Sequence, residues 1–168
     1  MTDQPMPTDI HAEAFFTADH AVVENGKLYV NGGFWTRMSF PSFPVVHSFS
    51  VGLVLHIPWR AHHQSHSIGV FFEDADGNIN ARLEGQFETG TSPDMRAGDF
   101  TAAPVAMQVG NFVFQRPGDY AAVLHVDGTE IDRWRFRAVQ VVGIPTHPTS
   151  PPPPAAPPPT PPTAGGGG

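Results

Sequence analysis

The sequence predicts an all-β protein, an antiparallel β-sandwich of about eight strands, and three observations carry that expectation. Asn25-Gly26, Asp76-Gly77 and Asp127-Gly128 each stand between runs of alternating apolar and polar residues, and such dipeptides readily adopt the left-handed backbone that tight hairpins need. The longest run, residues 45–57, sets Val45, His47, Phe49, Val51, Leu53, Leu55 and Ile57 on one side and Ser48, Ser50, Gly52 and His56 on the other. That is the period of a half-buried strand. No amphipathic helical stretch is available to cover a parallel sheet. Sheet therefore packs on sheet, in an immunoglobulin-like or a jelly-roll arrangement.

Each element follows in order. Residues 1–13 are polar, with Pro5 and Pro7, and read as a flexible N-terminus ahead of a domain spanning 14–143. Residues 15–23 and 27–33 form the first hairpin around Asn25-Gly26, and Phe34 and Trp35 cover a sheet end. Pro41 and Pro44 punctuate a crossing before the long strand, which Pro58 stops. After a polar loop at 59–65, residues 66–73 and 78–88 pair around Asp76-Gly77. The expected register sets Phe72 opposite Ala81, Phe71 opposite Arg82, Val70 opposite Leu83 and Glu73 opposite Asn80. The 89–101 segment, rich in Gly, Ser, Pro and Asp, is the longest loop, and loops on a rigid scaffold are where binding concentrates. Residues 103–114 make a further strand, and 119–126 with 130–142 make the last hairpin. A simple two-residue turn there would set Tyr120 against Arg135, so a three-residue loop of Val126, Asp127 and Gly128 is expected instead, pairing Tyr120 with Trp134 and Asp119 with Arg135. Residues 144–168 form a Pro/Gly-rich tail: 145–163 holds 11 of the chain's 19 prolines and no Asp, Glu, Lys or Arg. Such a segment lacks the apolar side chains that offset ordering entropy, so a disordered, polyproline-II-rich tail is expected.

Composition narrows the function classes. A length of 168 residues with 40% hydrophobic content suits one domain. The net charge of -7 opposes nucleic acid or an anionic membrane surface as a partner. With no cysteine there is no disulfide, zinc-thiolate site or thiol nucleophile. The first residues lack the charged and apolar regions of a secretory signal, and no apolar run is long enough to span a membrane. A cytoplasmic location is expected.

His62, His63 and His66 are the most metal-like cluster, because imidazole suits zinc, copper, iron and nickel, and His56, Glu73 and His125 are potential additional ligands across strands. Two of the three cluster members fall in a loop and their spacing matches no barrel metal motif, so a solvated loop is the favoured reading. Asp74-Ala75-Asp76-Gly77-Asn78 has the opening pattern of a calcium loop, but position twelve is Gly85, and a hairpin turn explains the same residues. Arg133, Arg135 and Arg137 alternate on one strand and project opposite Trp134 and Phe136; the favoured reading is a solvent face balanced by Asp119 and other acids, and the alternative is a stripe that docks carboxylates. There is no Gly-x-Ser-x-Gly turn and no phosphate-binding glycine loop, so no catalytic residue and no cofactor are assigned.

The segments Phe16-Thr17-Ala18-Asp19, Gly26-Lys27-Leu28-Tyr29-Val30 and Gly32-Gly33-Phe34-Trp35 resemble the signature of an uncharacterised bacterial family of small β-sandwich proteins. Pro117-Gly118-Asp119-Tyr120 followed by Val126-Asp127-Gly128 is similar to that group's closing hairpin. The resemblance implies the fold and no activity. The function expected is a non-enzymatic protein-binding or structural module with a polyproline tail. It would contact a partner, or another copy of itself, through a sheet edge, the 89–101 loop or the tail, with Trp35, Trp59, Arg133, Arg135 and Arg137 as candidate contacts. Two alternatives stand beside it: a metal-binding protein or metal-dependent enzyme using His62, His63 and His66, and a small-ligand carrier with a cavity lined by Phe49, Leu53, Phe72 and Trp134.

Overall fold

The computed structural model describes residues 9–141. The expected proline-rich tail and residues 1–8 lie outside the described residues. Among the described residues there are nine strands: β1 (His11–Glu24), β2 (Lys27–Gly33), β3 (Arg37–Phe40), β4 (Val45–Pro58), β5 (Ser65–Asp74), β6 (Ile79–Glu88), β7 (Phe100–Phe114), β8 (Gly118–Val126) and β9 (Thr129–Gln140). A single 3-10 turn, Trp59–Ala61, joins β4 to β5. Among the described residues no helix is long and apolar enough to cross a membrane.

The strands form two sheets in the orders β2-β1-β4-β7 and β3-β9-β8-β5-β6. The neighbours β4 and β7 in one sheet, with β9, β8, β5 and β6 in succession in the other, reproduce the B-E and G-F-C-C′ arrangement of an immunoglobulin-like sandwich and not that of a jelly roll. A second mark of that fold stands at the start of β8. The buried Tyr120 donates its hydroxyl proton to the carbonyl of Arg116 at 2.8 Å, a tyrosine corner. With no cysteine to pin the sheets, aromatic rings do so. Phe49 on β4 meets Trp35, Phe72, Phe112, Phe114 and Phe136 at centroid separations between 5.5 and 6.4 Å, mostly edge to face.

Several expectations change in detail. β1 begins at His11, inside the segment read as flexible, because Ile10 is buried in the core and anchors the strand's start. The additional strand is β3, four residues paired in parallel with β9, so the sandwich is not wholly antiparallel. The Asp76-Gly77 hairpin keeps the expected pairs at Val70, Phe71 and Phe72, but a bulge sets Glu73 opposite Ile79. The last hairpin has a two-residue turn, with Asp127 at φ 50° and Gly128 at φ 77°, and one extra residue in β9 between Glu130 and Asp132. Tyr120 therefore pairs with Phe136, and Asp119 with Arg137. An odd residue was needed to bring the apolar faces into line, and it sits in the strand instead of the loop.

Candidate functional site

Outward side chains of the five-stranded sheet align in rows. One row runs Arg133, Val123, Phe71 and Arg82; the next runs Glu130, His125, Gly69 and Glu84; a third sets Arg135 beside Ala121 and Glu73. The small residues Ala121 and Gly69 hollow the surface. A depression of about 580 Å³ lies over Ala121, bordered by Glu73, Asp119, Arg133, Arg135 and Arg137. A second, of about 950 Å³, lies over Gly69 and is bordered by Phe71, Ile79, Glu84, Gln86 and His125. Phe71 lies across the glycine, close enough that a Cβ there would meet its ring at 2.8 Å, and His125 meets the ring edge-on at 4.9 Å. The half-buried ring is thus an apolar floor beside the arginines.

The three arginines are not equivalent. Arg133 donates from Nε and Nη2 to both Glu130 carboxylate oxygens, at 2.9 and 3.0 Å, and from Nη1 to Glu73 at 2.6 Å. The Glu130 and Glu73 bonds hold its guanidinium protonated more firmly than usual, and Arg133 in turn holds the Glu130 carboxyl below its ordinary range. Arg137 grips Asp119 through two bonds of 2.5 and 3.0 Å, which likewise lowers the Asp119 carboxyl. Arg135, exposed between them, makes no ion pair within 4.0 Å among the described residues. The stripe seen in the sequence is thus two neutralised cations flanking one whose donors face solvent. The expected Asp119–Arg135 pairing is corrected by the register to Asp119–Arg137, and Glu73 comes from β5, beyond the reach of local pattern.

The other candidate residues are dispersed. Trp35 packs edge-on against Phe49 and Phe136, and its carbonyl accepts from Thr17 Oγ1 and Trp134 Nε1, so it closes the core instead of presenting a partner contact. Trp59 remains partly exposed on the 3-10 turn, 37% accessible, at one end of the sandwich. The 89–101 loop is tied to the same end: the Trp59 amide donates to the Asp99 carbonyl and the His63 amide to the Thr89 carbonyl. Phe49, Leu53 and Phe72 are buried in one packed core cluster with Trp134 against it, so the space a carrier needs between the sheets is filled by rings.

His62, His63 and His66 do not converge. His62 is 5% exposed and directs Nδ1 to the carbonyls of Pro58 and Trp59 and Nε2 to Thr101 Oγ1. His63 faces Thr91. His66, 4% exposed, spends Nδ1 on Asp127 and Nε2 on the Ala61 carbonyl, both at 2.8 Å. The alternative of a metal cluster finds no shared ligand geometry here, and the favoured reading of a solvated loop is corrected to two buried histidines that tie down a loop and a turn, and one exposed neighbour. His66 carried a signal for burial: it shares the strand face of Ile68, Val70 and Phe72. Asp74 accepts from the amides of Asp76 and Asn78 at 2.9 Å, closing a turn as expected and not a calcium loop. The Asn78 bonds hold its carboxyl below the usual range.

Comparison with known proteins bears on this arrangement. The description "Family of unknown function (DUF6941)" matches residues 13–139, nearly the whole described sandwich. The chain belongs to that family. Membership agrees with the resemblance to an uncharacterised β-sandwich group, and the matched span takes in β1 from Glu13 onward and the arginine stripe of β9. No curated protein matches the sequence. Among solved structures, the chain is similar to β-glucosidase from Listeria innocua in complex with glucose, at a TM-score of 0.38 and 11% identity, over 79% of this chain and 17% of that one. It is similar to the same enzyme in complex with isofagomine at a TM-score of 0.38 and 10% identity, over 78% of this chain and 16% of that one. The chain thus spans about a sixth of the β-glucosidase length.

Proposed function

We propose that this family member is a non-enzymatic binding module that docks another protein on the outer face of its five-stranded sheet. The observation that carries the reading is Arg135, a guanidinium with no ion-pair partner among the described residues, held between two that are paired. A planar cation of this kind offers bidentate donors to a carboxylate, and the flanking pairs suit it to a positioned acidic side chain instead of diffuse charge. The Phe71 floor and the neighbouring Ile79, 49% exposed on the edge strand β6, supply apolar contact for the same occupant. An extended segment bearing one carboxylate and one bulky apolar side chain fits both features. Among the described residues β6 pairs with β5 alone, on one side, which leaves its far side for strand addition by the same occupant.

The test compares protein capture by the wild-type chain, Arg135→Glu and Arg60→Glu. Arg60 stands at the end of the other sheet. Loss of the captured partner with Arg135→Glu and its retention with Arg60→Glu support the docking face. Equal capture by all three refutes it.

A further inference from the structure

We propose that His11, Glu13 and His56 form a binding site for a divalent transition-metal ion at the end of the four-stranded sheet, remote from the arginine face. The site is built by a break in strand pairing. His11 stands directly opposite His56, whereas the β1–β4 register shifts between Ala12 and Ala14, so Glu13 is the extra residue of a β-bulge. Bulges re-aim side chains, and this one brings the carboxylate beside both rings. Glu13 Oε1 lies 3.1 Å from His56 Nδ1 and 3.4 Å from His11 Nε2, and the three ligand atoms lie within 4.8 Å of one another. Ligand atoms around a tetrahedral ion with bonds of roughly 2.1 Å are about 3.4 Å apart. His11, exposed on the surface, would turn out of its stack on His56 so that both in-plane lone pairs meet one ion.

Two further features point to a ligand set and not to accidental neighbours. His56 lies flat on Phe100, at 4.1 Å and 16°, with its Nδ1 3.1 Å from Glu13 Oε1, so its ring plane is fixed with that nitrogen turned to the carboxylate. His11 Nδ1 lies 3.4 Å from the Asp9 carbonyl, which favours the tautomer with its proton on Nδ1 and a lone pair on Nε2, toward the carboxylate. A backbone carbonyl behind a metal-binding imidazole is the common supporting contact. The nearby cation Arg60 is paired with Asp9, so Glu13 has only the two imidazoles as ion-pair partners among the described residues. Two imidazoles and one carboxylate suit zinc, copper or nickel and disfavour calcium and magnesium, which take oxygen ligands. Three protein ligands leave a coordination position for water or a group from a partner.

The test uses the untagged full chain. Zn²⁺ titrated by calorimetry is expected to saturate at one equivalent, undisturbed by excess Mg²⁺ or Ca²⁺. His11→Ala and His56→Ala are each expected to weaken binding by about tenfold or more, as loss of a ligand should. Glu13→Gln weakens it as well, and His63→Ala leaves it unchanged. Electron paramagnetic resonance of the Cu²⁺-loaded wild-type chain, which depends on no variant folding, should show two coordinated nitrogens, and His56→Ala one. Failure of Zn²⁺ to saturate, saturation that survives both histidine substitutions, or loss with His63→Ala overturns the assignment.

Discussion

The ion pair between the buried His66 and the more exposed Asp127 makes the sharpest stability prediction. The Ala61 carbonyl only accepts, so it takes a proton from Nε2, and the Asp127 carboxylate takes one from Nδ1. Both bonds together require the imidazolium. Burial pulls the His66 pKa down, but the Asp127 bond, the Ala61 bond and the Asp127 charge outweigh it, and the net displacement is upward from 6.5. A raised folded-state pKa means stability that is fully present below the unfolded value and lost as pH climbs through the folded one. Asp127→Asn isolates this contribution. Asparagine tolerates the left-handed backbone at φ 50° and can still accept the Ser67 amide proton that Asp127 Oδ1 accepts at 2.9 Å. With asparagine, a neutral His66 can donate to Ala61 and accept from the amide, so every group remains satisfied. A charged hydrogen bond contributes about 1.5–3 kcal/mol and a neutral one about 1 kcal/mol, so the variant should lose about 1.5 kcal/mol near pH 6. For a folded body of this size that lowers Tm by about 5–7 °C. Thermal unfolding followed by circular dichroism from pH 6 to pH 9 should show the gap widest at pH 6 and closing as pH rises. A gap that is constant across the range, or that grows with pH, refutes a protonated His66.

Four other substitutions probe the packing. Gly52→Ala places a Cβ 2.8 Å from the ring of Phe16, which is buried and stacked on Phe34 at 4.0 Å, so chemical denaturation should show a loss of about 1–3 kcal/mol. Gly69→Ala meets Phe71 at the same 2.8 Å, but that ring lies on the outer face and can swing away, so the loss should be clearly smaller. Tyr120→Phe removes the corner bond to Arg116 and should lower stability by about 1 kcal/mol with the fold intact, measured in urea. Phe49→Ala opens the hub of the aromatic cluster and should cost about 3–5 kcal/mol by the same measurement.

Local features were legible in the sequence and long-range ones were not. Asn25-Gly26 and Asp127-Gly128 do adopt positive φ at both positions, and the alternation in residues 45–57 does bury Phe49, Val51, Leu53, Leu55 and Ile57. Parity alone required an odd residue in the last hairpin, yet a bulge in the strand and a longer loop satisfy parity equally, so the Tyr120 partner was misplaced. β3 escaped notice because four residues beside Pro41 and Pro44 carry little period, and its pairing with β9 joins segments far apart in the chain. Polar residues misled most. His62 and His66 are buried because carbonyls at Pro58, Trp59 and Ala61, together with Thr101 and Asp127, receive them, and loop composition reveals none of those partners. The same limit applied at His11 and Glu13, which looked like a polar terminus until β4 set His56 opposite.

Photo-crosslinking tests the docking face most directly. A photoreactive phenylalanine analogue placed at Phe71 or Arg135 should crosslink one partner protein in cells, and the analogue at Val46, 58% exposed on the four-stranded sheet, should not. Crosslinks arising at Val46 with none at Phe71 or Arg135 would contradict a binding surface built around Arg135.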